Sequence, residues 1–435
     1  MKRTVLGSGL AVVTERLPGF KTLSIGIWVR VGTRHETNRE SGISHFLEHM
    51  VFKGTATRTA TDITREIERV GGELNAFTAR EFTCFHVTVL ARDLELAMEI
   101  LSDILLHSTF DAEEFSREKK VILQELAMVD ESPEEVAGDI HSELMYGSHP
   151  LGRSILGTEN SVRNLKRADL IRYFRKHYRP GNMIVSVAGD VSPARVMKSL
   201  LKLRKRNWPG RPAVSAGQRK TLPASAPPHV REGLWWIRRP TEQAHLMWAV
   251  ETPKYASKDQ TALILISAYL GGGMSSVLFQ EIRERKGLAY TVYSSLTSFS
   301  DSGTLSIYLG ANVGQITQCL NLIDVEVEKL CQDLVSIEAL NEVRESLKGM
   351  MLLSSDSAES VMQSNAVDEI YLKQVYPVEQ VCAELDSITP NDIRRVCRKV
   401  FRSRGRSILV YGPSPSKRVH RKLKPTYPKK YGQLK

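Results

Sequence analysis

The chain repeats itself, and no other feature narrows its fold as much. From Asp169 it reads DLIRYFRKHYRPGNMIVSVAG, a helical pattern followed by a strand ending at Gly189; from Asp392 it reads DIRRVCRKVFRSRGRSILVYG, the same pattern ending at Gly412. In each block the Gly follows the Asp by 20 positions. FHVTVLARDLELAMEILSDIL in the first half parallels LSIYLGANVGQITQCLNLID in the second, an alternating strand and then an amphipathic helix. LSIGIWVRVG and FHVTVL alternate like half-buried antiparallel strands. The expected fold is α+β: two similar halves, 1–205 and 233–415, each with helices layered on an antiparallel-rich sheet. Residues 206–232, rich in Pro, Ala, Ser and basic side chains without lasting periodicity, read as a linker, and 416–435 as a basic tail.

Composition limits the function classes. At 435 residues and 42% hydrophobic the chain buries real cores. The net charge of +11 suggests a nucleic-acid partner, but residues 417–435 hold eight Lys/Arg and 201–220 hold seven, with no acid in either. The remainder is slightly acidic, so nucleic-acid binding is not the expected role and the two basic segments read as solvated. Five scattered cysteines without a C-x-x-C pair argue against a disulfide framework or a thiolate metal site. The N-terminus reads as a strand pair with a turn, not a signal peptide, and no run is long enough to span a membrane. A cytoplasmic protein without membrane contact is expected.

The chemistry centres on ESGISHFLEHMVFKGT. Ser41 is the candidate N-cap and Gly54 the candidate terminator of a helix of about three turns. His45 and His49, at i and i+4, share a face, so both imidazoles reach one ion. Glu48 lies on the flank of that face, where it bonds a water without occupying a coordination position. This is the H-x-x-E-H order of zinc peptidases. Two His plus a carboxylate leave a zinc position open for water, whose proton Glu48 takes for attack on a peptide carbonyl. Ile43, Phe46, Leu47, Met50 and Val51 make the helix largely buried. Buried His and Glu require partners.

A third ligand is expected from AEEFSREKKVILQELAMVDESPEEV, which places Glu118 and Glu125 at i and i+7 with Val121 and Ile122 on the inner side. By spacing alone either acid serves. Aligning DAEEFSREKKVILQEL on SIEALNEVRESLKGMM sets Val343 opposite Glu118 and Met350 opposite Glu125, and the second half has no H-x-x-E-H. One site per chain, in the first half, follows.

These motifs, with GGELNAFTAREFT, REKKVILQE, HPLGRSILG and LFQEIRERKGLAY, closely resemble the pitrilysin/insulinase family of zinc peptidases, in particular its short two-half members related to mitochondrial processing peptidase. The resemblance spans about residues 5–412. It implies a clamshell of two halves hinged at the linker and a zinc-dependent endopeptidase cleaving peptides or unfolded segments. It names Glu125, 76 residues after His49, as the third ligand and Glu118 as the acid that orients a ligand or tunes the metal. It gives Tyr290 the role of oxyanion donor and Arg283 that of holding a substrate carbonyl. Read by themselves these two are an exposed helix Arg and a core Tyr, with Gly287 ending the helix before Tyr290. It gives Asn75, Ala76, Phe77 and Thr78 the role of pairing with substrate as an added strand. It also implies a dimer, a homodimer or a heterodimer with a related subunit. Only Gly271, Gly272 and Gly273 stand where the partner subunit of the mitochondrial enzyme has a longer glycine-rich loop, which resembles the zinc-bearing subunit or the single-gene bacterial form. That triplet lacks the Lys-Ser/Thr of a phosphate loop. His149 and His86 read as structural, and the run Met350, Met351, Leu352, Leu353 reads as core. The competing expectations are a non-catalytic scaffold or assembly subunit of the same family, and a nucleic-acid-binding protein that relies on its tail.

Overall fold

A computed structural model of the chain describes residues 1–207, 227–402 and 405–431. Residues 208–226 of the expected linker and 432–435 of the expected tail lie outside the described residues. The chain forms two compact units. One comprises Met1–Met128, Arg153–Ala224 and Leu352–Tyr376; the other comprises Val129–Gly152, Ser225–Met351 and Pro377–Lys435.

The first unit is built on strands β1 (Lys2–Val5), β2 (Ala11–Arg16), β3 (Thr22–Val29), β4 (Glu73–Thr78), β5 (Thr83–Leu90) and β6 (Met183–Gly189), in the order β1-β2-β6-β3-β5-β4. Only β2 and β6 run parallel; every other neighbouring pair is antiparallel. The pleat sorts side chains onto two buried faces. Leu23, Ile25, Ile27 and Val29 join Phe85, Val87, Val185 and Val187 in the main core, together with Phe46, Leu47 and Met50 of helix Ile43–Val51. Trp28, Cys84, Ile184 and Ala188 point the other way and pack on Met362 and Ala366. With both faces covered, the central strands are buried along nearly their whole length, including polar Ser24, His86 and Ser186 on the second face.

The second unit contains β7 (Gly233–Arg238), β8 (Ala244–Thr252), β9 (Ala289–Ser298), β10 (Gly303–Ala311) and β11 (Arg406–Gly412), in the order β7-β11-β8-β10-β9. Leu246, Trp248, Leu305, Ile307 and Val410 face its main core. Ile237, Leu409 and Tyr411 face Ala137 on the opposite side.

The compact units differ from the expected sequence halves in one respect. Helices Ala112–Asp130 and Pro133–Tyr146 recur, with the same lengths of 19 and 14 residues, as Ile337–Ser355 and Ala358–Tyr371. In each repeat the shorter helix belongs to the unit of the other half. Ala358–Tyr371 covers the second face of the β1–β6 sheet, where Ser186 Oγ donates to the Met362 carbonyl at 2.7 Å and Arg3 pairs with buried Glu369 at 2.6 Å. Pro133–Tyr146 covers the second face of the other sheet, with His141 Nε2 3.1 Å from the Ser407 carbonyl and Tyr293 Oη donating to Glu134 at 2.8 Å. A sheet with two apolar faces needs a cover on each, and each half lends the other its cover.

Two local expectations change, and the absence of a disulfide framework holds. The tail is not wholly solvated: helix Lys417–Leu423 buries Val419, and the Thr426 carbonyl accepts from Trp236 N at 2.9 Å. Met350, Leu352 and Leu353 are half or more exposed, and of that run only Met351 packs on the core. All five cysteines are free.

Candidate metal centre

Helix Ile43–Val51 turns Ile43, Phe46, Leu47, Met50 and Val51 into the core, and this orientation leaves His45, Glu48 and His49 on its remaining flank. Its N-terminus is not capped by Ser41. The N-cap is Gly42, in the left-handed region at φ 89°, where a Cβ would lie 2.6 Å from the Leu156 carbonyl oxygen. The first-turn amides are satisfied from a distance in sequence: the buried Glu36 carboxylate accepts from Gly42 N at 2.9 Å and from Ser44 N at 2.8 Å. Burial pushes Glu36 up to about 7, against the pull of these bonds. Gly54, at φ 115°, lies two residues beyond the C-cap Phe52.

The His45 and His49 rings stand 4.7 Å apart between centroids, and the Nε2 of each lies 3.7 Å from Glu125 Oε2. Such separations are too long for hydrogen bonds. They are close to the ~3.3 Å expected between neighbouring donors of a tetrahedral zinc with bonds of about 2.0–2.1 Å. One donor atom from each of the three residues fits within 4.8 Å of the others. Glu125 Oε2 is buried without a hydrogen-bond partner, as is His45 Nδ1. A buried, unpartnered carboxylate oxygen aimed at two imidazole nitrogens is the electrostatic signature of a cation position. Two imidazoles and a carboxylate suit zinc, so the residues present fit the ion.

The surrounding groups suit that use. Glu118 is buried; its Oε2 lies 3.1 Å from His49 Nδ1 and its Oε1 lies 2.7 Å from Lys53 Nζ. With Nδ1–H donating to Glu118, the His49 Nε2 lone pair is left for a metal. Burial pushes Glu118 up, but the bonds to His49 and Lys53 outweigh it and hold the carboxyl below its ordinary range. His45 is lowered to about 4, by burial and then by the neighbouring His49, so its ring is in the neutral form a metal requires. Val121, expected on the inner side of helix Ala112–Asp130, is exposed, whereas Ile122 is fully buried.

Glu48 stands apart from the three donors. Burial raises it, and Thr78 Oγ1, donating to its Oε2 at 2.5 Å, opposes that rise. Thr78 ends β4, the last strand of its sheet, so Asn75, Ala76, Phe77 and Thr78 lie on a free strand edge among the described residues.

Arg283 and Tyr290 belong to the second unit. The Arg283 guanidinium sits 4.6 Å from the Tyr290 ring centroid and 4.7 Å from that of Phe279. Gly287, at φ 58°, separates the helical turn Phe279–Glu284 from β9. Tyr290 is 73% exposed on this edge strand, which overturns its reading as a core residue. His149 Nδ1 accepts from Leu151 N at 3.2 Å, and His86 lies within β5.

Sequence reasoning missed Glu36, Lys53 and the side-chain role of Thr78. Lys53 carried a usable signal, since it follows His49 by one helical turn. Glu36 carried none, because its cap bridges a loop.

The description "Insulinase (Peptidase family M16)" matches residues 11–159, and "Peptidase M16 inactive domain" matches residues 164–347. A Mycobacterium leprae protein named as a zinc protease is 36% identical, covering 96% of this chain and 93% of its own length. The Bacillus subtilis zinc protease YmxG is 35% identical, covering 92% and 96%. The mouse mitochondrial-processing peptidase subunit beta is 31% identical, covering 94% and 84%. A protease structure from Helicobacter pylori shares the fold with a TM-score of 0.87 at 22% identity, covering 95% of this chain and 99% of that one.

Proposed function

The chain belongs to the insulinase family, peptidase family M16, and we propose that it is a zinc-dependent endopeptidase of peptides or unfolded polypeptide segments. One observation carries this reading: two imidazole nitrogens and an unpartnered carboxylate oxygen converge while Glu48, next to His49 on the same helix, stays outside the donor set. His45, His49 and Glu125 would hold the metal. When bound there, zinc supplies Lewis acidity, which polarises a carbonyl and makes water more acidic. Glu48 takes a proton from the attacking water and delivers it to the leaving amide nitrogen. Glu118, itself held by Lys53, keeps the His49 ring turned with Nε2 outward. An extended substrate adds to the free edge of β4, where backbone pairing along Asn75, Ala76, Phe77 and Thr78 makes the enzyme tolerant of sequence. From the family resemblance, Tyr290 donates to the developing oxyanion and Arg283 holds a substrate carbonyl.

The proposed assembly is a homodimer, or a heterodimer with a related subunit, in the cytoplasm. No described helix is long and apolar enough to cross a membrane. The reading is tested by zinc analysis together with a quenched-peptide library digest, on wild type and Glu48→Gln. About one zinc per chain in both proteins, with cleavage only by wild type, is the expected result. Cleavage retained by Glu48→Gln removes Glu48 as the base. Zinc without cleavage in wild type makes the chain a non-catalytic subunit.

A further inference from the structure

We infer that Thr78 is the positioning residue for Glu48, so that the strand proposed to receive substrate also sets the catalytic base; this rests on the endopeptidase reading. Along β4 the side chains alternate. Leu74 and Ala76 pack toward the main core, while Phe77 lies on the opposite face, its ring 5.5 Å from that of Trp28. Thr78 therefore points to the side where helix Ile43–Val51 lies, and its Oγ1 reaches Glu48 Oε2 at 2.5 Å. A threonine hydroxyl has one proton, and here the carboxylate takes it in a short, charge-assisted bond.

The donor's position does not depend on the helix it serves. Thr78 opens the hairpin turn between β4 and β5, closed by Ala79 N to the Phe82 carbonyl at 2.8 Å. That tip is fastened to the segment before the helix: Thr33 N donates to the Ala79 carbonyl at 3.3 Å and Arg34 N to that of Arg80 at 2.8 Å. Arg34 and Glu81, both buried, pair at 2.8 Å. Gly32 permits this approach, since a Cβ there would stand 2.1 Å from the Ala79 carbonyl oxygen. The helix thus brings the carboxylate and the hairpin brings the group that orients it. Occupying Oε2 leaves Oε1 to meet water, and the rotamer of a long side chain is settled before substrate arrives.

The test compares Thr78→Val, a near-isostere without the donor, with Thr78→Ser, which restores it. In Thr78→Val, kcat falls about ten- to a hundredfold, part of the 10²–10⁴ that a positioned base supplies, while KM stays within about twofold and zinc content is unchanged. Thr78→Ser recovers kcat to within about threefold of wild type. Crystal structures of the zinc-loaded proteins give a readout independent of turnover: Glu48 is ordered on Thr78 in wild type and leaves that position in Thr78→Val. The inference is overturned by an unchanged kcat in Thr78→Val, by a rise in KM alone, by Thr78→Ser as impaired as Thr78→Val, or by an unmoved Glu48. A wild type that binds zinc but cleaves nothing sinks the endopeptidase reading, and the Glu48 position then still decides the role of Thr78.

Discussion

Replacing Glu36 tests how helix Ile43–Val51 is held. Its carboxylate, 4% exposed, is the acceptor for two first-turn amides, Gly42 N and Ser44 N. Glu36→Ala leaves both donors buried and unmatched, which at ~1–3 kcal/mol each, less any water that enters, costs roughly 2–4 kcal/mol. The loss is local, so the assay is hydrogen–deuterium exchange read by mass spectrometry on peptides covering residues 42–51. Protection there falls about 30- to 1000-fold if exchange follows local opening. Acidity adds a second signature. Burial raises the Glu36 carboxyl from 4.5 to about 7, so the folded protein holds this proton more tightly than the unfolded chain. The resulting stability is complete below about pH 4.5 and is lost as pH rises through about 7, a change of roughly 3 kcal/mol. Glu36→Gln keeps a neutral acceptor and abolishes this dependence. Unchanged protection in Glu36→Ala would falsify the capping role. Parallel pH profiles for wild type and Glu36→Gln would refute the buried, proton-holding carboxyl.

Two further outcomes are expected. Lys53→Met removes one of the two partners of buried Glu118, and zinc affinity, measured by chelator competition, falls about ten- to a hundredfold; an unchanged affinity means that Lys53 does not hold Glu118 in place. Met362→Ala empties a fully buried position and costs roughly 2–5 kcal/mol, seen as faster exchange in β3 and β6 although residue 362 lies in the second sequence half; an effect confined to β7–β11 contradicts the helix exchange.

Much of the candidate centre was legible because it is local. His45, Glu48 and His49 share one helix, and helical periodicity alone puts the two imidazoles on a common face. The i and i+7 spacing of Glu118 and Glu125 likewise put both acids on one stripe, but spacing gives no reason for one to meet Nε2 and the other Nδ1. That depends on where helix Ala112–Asp130 crosses the metal helix, which is a packing outcome. Tyr290 was misread because a lone aromatic after a helix is usually core; here it falls on an edge strand with one face open. Met350, Leu352 and Leu353 were misread for a similar reason, since an apolar run does not say which side of a helix finds a partner.

The repeat and the H-x-x-E-H motif determined, without coordinates, that there are two related α+β halves and that one of them carries the candidate metal ligands. Both are periodic or short-range signals, and these survive in a linear string. Only the tertiary structure decided that the short helices 133–146 and 358–371 change places, that Glu36 caps helix Ile43–Val51, and that Thr78 bonds Glu48 while Lys53 pairs with Glu118. These contacts join elements that sequence order leaves apart. They exist because buried faces, amides and carboxylates must each find a partner, and the packed chain rather than its neighbours in sequence supplies it.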